Sequence, residues 1–183
     1  FSNLIVTVDD KLIDIMKRSM PNIQFLSRFQ EIQVDPTKTK HILLTSLGKI
    51  FRKKTDDFKS NQNPWLLASN QKVKEISKLI NKTKKIKVGL SWKGASQGEL
   101  KRHIDITQFA EIFPSEKFLL INLQHGDIEE EKQKLFKDKN HKLFCIDKFD
   151  YRNDLEGIAG IINNCDLVAS LGNTTAHFSS ALG

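Results

Sequence analysis

From Ile86 onward the chain alternates short apolar runs with amphipathic segments, and this alternation constrains the fold more than any other feature of its 183 residues. The apolar runs read as strands at 86–91, 117–123, 142–146 and 167–170. Between them lie helical periodicities at 106–113, 128–136 and 155–163, and a last helix follows the final strand. Strands separated by helices of this length pair in parallel, because a helix is what carries the chain back to the starting edge of the sheet. The pattern predicts an α/β fold with a Rossmann-like, doubly wound parallel sheet.

The first 82 residues are less regular. A β-branched run at 4–8, a helical pattern at 11–20 closed by Pro21 and a second short strand at 23–26 read as a β-α-β unit. Residues 27–64 offer a short helix at 46–52 and a polar loop from Asp56 to Pro64. A helix over 69–82 would carry Val73, Ile76, Leu79 and Ile80 on one face and lysines on the other. It ends in Asn81-Lys-Thr-Lys-Lys85, which has little to bury. The chain is therefore expected to divide into two partial domains, 1–82 and 83–183, with few contacts across the charged stretch.

Composition removes several function classes. At 39% hydrophobic residues and a mean hydropathy of -0.39, with no long apolar run, no membrane span is expected. Residue 1 is Phe, and no basic segment followed by an apolar one suggests a targeting signal, so the chain reads as a cytoplasmic segment cut from a longer gene. Cys145 and Cys165 form no C-x-x-C pair and read as reduced core residues, and the five histidines show no metal-ligand spacing, so no metal is expected. The net charge of +7 raises nucleic acid as a partner. Against it, the lysines alternate with acids, as in 71–78 and 129–134, and no aromatic-basic recognition motif occurs. Nucleic acid is not an expected partner.

In an open parallel sheet, ligands bind outside the carboxyl ends of the strands. Those ends are Ser91-Trp92-Lys93-Gly94, Asn122-Leu123-Gln124-His125-Gly126, Asp147-Lys-Phe-Asp150 and Gly172-Asn173-Thr174-Thr175. Lys93 supplies a full positive charge, and the start of the last helix, capped by Asn173 or Thr174, supplies a partial one. Together they can hold a diphosphate. Each piece also has a plainer reading: Asn-Thr-Thr as a cap with His177 packed on the sheet, Lys93 as a solvated lysine, and Trp92 as a cover for the sheet edge. Gln124-His125-Gly126 likewise reads as a strand-to-helix turn, and Asp150 and Asp154 as caps before Leu155.

The order and spacing of Val88-Gly-Leu-Ser-Trp-Lys-Gly94, Asn122-Leu-Gln-His-Gly-Asp127, Asp154-Leu-Glu-Gly-Ile-Ala-Gly-Ile-Ile162 and Asp166 to Gly183 resemble a known family. It is the heptosyltransferase-like glycosyltransferases, with their relatives at the C-termini of bacterial tetratricopeptide-repeat proteins. The resemblance covers 86–183; more weakly, 6–18 and 46–52 resemble the end of the family's N-terminal domain. It implies a GT-B architecture and metal-independent, inverting transfer from a nucleotide-sugar to a glycan or protein acceptor, with no further cofactor. By position, Lys93, beside Ser91 and Trp92, would meet phosphate. Gln124, His125 and Gly126 would lie near the base or ribose, while Asn173, Thr174, Thr175 and His177 would line the diphosphate and sugar. Many relatives carry Asp-Thr where this chain has Gly172-Asn173. The family's catalytic carboxylate and closing strands fall outside these residues, so the chain reads as a fragment with no residue assigned as general base. The alternative is a non-catalytic nucleotide- or sugar-binding module of the same fold.

Overall fold

The structure, a computed structural model, describes residues 4–58, 64–80, 82–94 and 103–183. Part of the polar loop (59–63) and Asn81 of the charged stretch lie outside the described residues. The fold is α/β, with parallel strands throughout. β1 (Ile5–Val8) and β2 (Gln24–Ser27) form a two-stranded sheet joined through α1 (Ile13–Ser19). After the short α2 (Leu47–Phe51) and α3 (Asn70–Ile80) comes the main sheet: β3 (Ile86–Ser91), β4 (Phe118–Asn122), β5 (Leu143–Phe144) and β6 (Leu167–Ser170). Its spatial order is β5-β4-β3-β6, all parallel. The crossovers run through α4 (Ile106–Ile112), α5 (Glu129–Lys139) and α6 (Leu155–Asn163), and α7 (Thr174–Leu182) follows β6.

Successive residues of a strand face opposite sides of the sheet, so each strand feeds two cores. On one side Val88, Leu90 and Trp92 pack with Leu120 and Leu143 against Ile106 and Phe109 of α4 and Leu135 of α5. On the other, Ile121 and Leu123 meet Ile158, Ile161 and Ile162 of α6 and Phe178, Ala181 and Leu182 of α7. Gly89 sits on this second side, where a Cβ would stand 2.5 Å from Leu123 Cδ1; glycine is what lets Leu123 lie across the central strand.

The second core does not stop at the charged stretch. Ile15 of α1, Leu66, and Ile76 and Ile80 of α3 belong to the same buried cluster as α6 and α7. α3 lies along α6, approaching closely at Gly160, where a Cβ would stand 3.2 Å from the Lys72 carbonyl. Asn164 Nδ2 donates to the carbonyls of Val73 at 2.9 Å and Gly160 at 2.8 Å, tying the two helices together. The expectation of two packing units separated at 81–85 is corrected accordingly. Local charge leaves little to bury in the linker, but it does not decide where the apolar stripe of the preceding helix goes.

Two other differences have local causes. α3 buries Ile76 and Ile80, while Leu79, one position earlier and turned away from α6, stays exposed. β5 has two residues instead of the five read from 142–146, because the chain leaves the sheet after Phe144 and the Ile146 N–H donates instead to the Tyr151 hydroxyl at 2.8 Å.

Candidate functional site

The main sheet grows from β3 to β4 and β5 on one side, then returns to add β6 on the other. Strand order therefore reverses at β3. α4, which follows β3, and α7, which follows β6, pack on opposite faces of the sheet, and a ligand crevice is expected at the carboxyl ends of two such strands.

A continuous polar chain forms the floor of this crevice. Gln124 Oε1 accepts from Ser91 Oγ at 3.1 Å and from the Lys93 N–H at 2.9 Å. Asn122 closes on the backbone of Gln124 through both ends of its amide, each at 3.0 Å. Asn173 Nδ2 reaches across from β6 to Ser91 Oγ at 2.9 Å and the Lys93 carbonyl at 3.2 Å. Its Oδ1 accepts from Ser170 Oγ and the Thr175 N–H, each at 2.9 Å, and from the Ala176 N–H at 3.3 Å. Asn173 is thus the N-cap of α7 and also the clasp between the ends of β3 and β6.

The ten residues expected at a donor site separate by role. Ser91, Gln124 and Asn173 come together, with their side-chain groups spent on one another, and Ser91 and Gln124 are buried. Trp92 is 1% exposed in the core against α4 and α5, so its ring supports the loop from below. Lys93, His125, Gly126, Thr174, Thr175 and His177 remain at least partly accessible. Gly126 turns at φ 89, left-handed backbone that suits glycine. Two of the α7 N–H groups expected to face a ligand are taken by Asn173, which leaves that of Thr174 at the helix start.

Lys93 is not idle either. Its ammonium pairs with Glu131, in the acidic first turn of α5, and approaches the Asp127 carbonyl at 3.3 Å. This pair could not be read from spacing, since Lys93 and Glu131 meet only through the β3–β4 packing. His103 also went unread: it forms an antiparallel bridge to Lys93, placing an exposed imidazole on the same edge. Comparison with protein-family models, curated proteins and solved structures finds no match to this chain. The site therefore rests on its geometry alone.

Three aspartates cap or close turns at helix starts. Asp154 caps α6 by accepting from the Gly157 N–H at 2.8 Å, while Asp150 closes the turn before it by accepting from the Arg152 and Asn153 N–H groups. The Lys134 ammonium and the Thr107 N–H and hydroxyl hold Asp105, the N-cap of α4, down to about 2. Both cysteines are free, and burial pushes the Cys165 thiol up to about 12. Among the described residues no group of three or more His, Cys, Asp or Glu is arranged to hold a metal, and no helix is long and apolar enough to cross a membrane. A cavity of about 410 Å³ lies away from the crevice, where α1 meets the first turns of α3 and α6. Arg18 there is held by Glu156 at 2.5 and 2.7 Å and by the Leu67 carbonyl at 2.8 Å, a strut between the two sheets.

Proposed function

We propose that the crevice between the ends of β3 and β6 holds the diphosphate of a nucleotide-sugar, and that the chain is part of a metal-independent, inverting glycosyltransferase of GT-B type. The observation that supports this reading is that Asn173, the N-cap of α7, donates to the Lys93 carbonyl at the point where strand order reverses, which brings the Lys93 backbone beside the helix start. When a sugar leaves a nucleoside diphosphate, negative charge develops on the departing oxygen. An ammonium group and a helix start offer fixed positive potential to that charge. In this reading Lys93 exchanges Glu131 for phosphate. Thr174 contributes its N–H and exposed hydroxyl, and His125 and His177 flank the base and sugar. The clasp of Ser91, Gln124 and Asn173 holds the two loops at fixed separation. The free cysteines fit a reducing compartment, which supports a cytoplasmic reading.

Calorimetric titration with nucleoside diphosphates tests the site. Weak binding is expected, and Lys93→Ala should cost about 1–3 kcal/mol, the range for charge-assisted hydrogen bonds. Absence of diphosphate binding, or binding untouched by Lys93→Ala, removes the reading. A non-catalytic nucleotide- or sugar-binding module is the second reading. What favours it is that the carboxylates nearest Lys93 have structural partners, Glu131 the Lys93 ammonium and Asp127 the Glu129 N–H, and no general base is assigned. Such a module would bind the diphosphate with the same Lys93 dependence and show no turnover of a nucleotide-sugar donor.

A further inference from the structure

A 3₁₀ turn at Leu44–Ser46 runs directly into α2, giving one short helical stretch. Leu44, Leu47, Ile50 and Phe51 fall within about a third of its circumference, with Thr45 and Lys49 opposite, and Leu43, the extended residue just before it, adds a fifth apolar side chain. That apolar stripe is left open. Leu43, Leu44 and Phe51 are 64%, 69% and 67% exposed, so no element among the described residues covers them.

The charge around the stripe is mostly positive, bounded by Asp35 on one side and by Asp56 and Asp57 on the other. Residues 36–54 hold Lys38, Lys40, Lys49, Arg52, Lys53 and Lys54 and no Asp or Glu. The Asp57 carboxylate accepts from the Lys53 and Lys54 N–H groups at 2.8 and 3.0 Å, and the other partners are exposed. Lys38 meets Asp35 at 3.6 Å with its side chain 84% exposed, and Arg52 donates to the Asp57 carbonyl and lies 5.2 Å from the Phe58 ring. The surface this segment fits must therefore be anionic at its face and apolar just beneath.

We propose that residues 36–54 dock the protein on an anionic lipid surface, with Leu43, Leu44 and Phe51 entering the boundary between headgroups and acyl chains. The cations then lie among lipid phosphates. This is attachment to one leaflet, and it is independent of the glycosyl-transfer reading. A nucleic acid would engage the same cations but leaves five apolar side chains without a use. A bilayer engages both sets.

Co-sedimentation of the full chain with phosphatidylcholine vesicles, with and without phosphatidylglycerol, tests the proposal. Partition onto the anionic vesicles alone is expected, weakening as salt is raised. Replacing Leu43, Leu44 and Phe51 together by Ser should lower partition by about tenfold or more, as should replacing Lys49, Arg52, Lys53 and Lys54 together by Gln. The side chains at these positions are exposed, so the circular dichroism of the rest of the chain should be unchanged. A Phe51→Trp variant gives a second measurement that removes nothing: its emission should move to shorter wavelength on anionic vesicles. No partition onto anionic vesicles, partition unaltered in both multiple variants, or unshifted Phe51→Trp emission overturns the proposal. So does binding to a duplex oligonucleotide that the Gln variant loses and the Ser variant keeps, combined with equal vesicle partition of the two.

Discussion

Asn173 uses both ends of its carboxamide, the oxygen on the start of α7 and the nitrogen on the end of β3. Asn173→Ala removes a helix cap and leaves buried Ser91 without one of its partners, so a loss of about 2–3 kcal/mol is expected, read as a lower urea midpoint. The cap was legible in Gly-Asn-Thr-Thr; the clasp was not, because Ser91 lies 82 residues away and only the strand order brings it near. The same holds for Lys93, whose partner Glu131 belongs to another element, and for His103, which no motif marks. Asp105 gives a prediction in pH. Its folded value of about 2 lies below the ordinary 3.8, so as pH falls the unfolded chain takes up the proton first. Its contribution is whole above about pH 4 and disappears as pH drops through about 2. In Asp105→Asn that part of the stability curve should flatten, by a small amount because the pair is partly exposed. Urea midpoints of the two proteins across this range measure it.

At the scale of elements, the strands and helices after Ile86 were readable because apolar period and length agree, and the structure keeps every one of them. What single-element patterns do not contain is the partner. The stripe on α3 announced a buried face, yet nothing within it said that the face would meet α6. Nor did Gly89 announce its reason: the glycine is needed because Leu123, on the loop beyond the neighbouring strand, crosses it. Gly89→Ala places a Cβ 2.5 Å from Leu123 Cδ1 in a fully packed layer, and Leu123 itself is buried, so the strain has nowhere to relax. A destabilisation of about 1–3 kcal/mol is expected from overpacking. Leu123→Ala in the same chain should recover part of it in a double-mutant cycle; strictly additive losses would show that the two side chains do not compete for the space.

For the whole molecule, the shared core of α1, α3, α6 and α7 predicts one cooperative unfolding transition. In a Trp65→Phe variant, emission reports Trp92, on the opposite side of the main sheet. That signal and circular dichroism should fall together in urea, and Ile80→Ala should move both by about 2–5 kcal/mol. Two separated transitions would restore the division at 81–85. The sheet order has one more consequence, which concerns time. Lys87 and Asp166 are joined where β3 meets β6 although 79 residues separate them, and β6 is made after β3, β4 and β5. A nascent chain that has reached β5 holds three paired strands of this sheet, while β6 and its Asn173 clasp are still unsynthesised. This edge is therefore assembled only once α7 has begun, and its Asn173 clasp forms only when the central strand has found both neighbours.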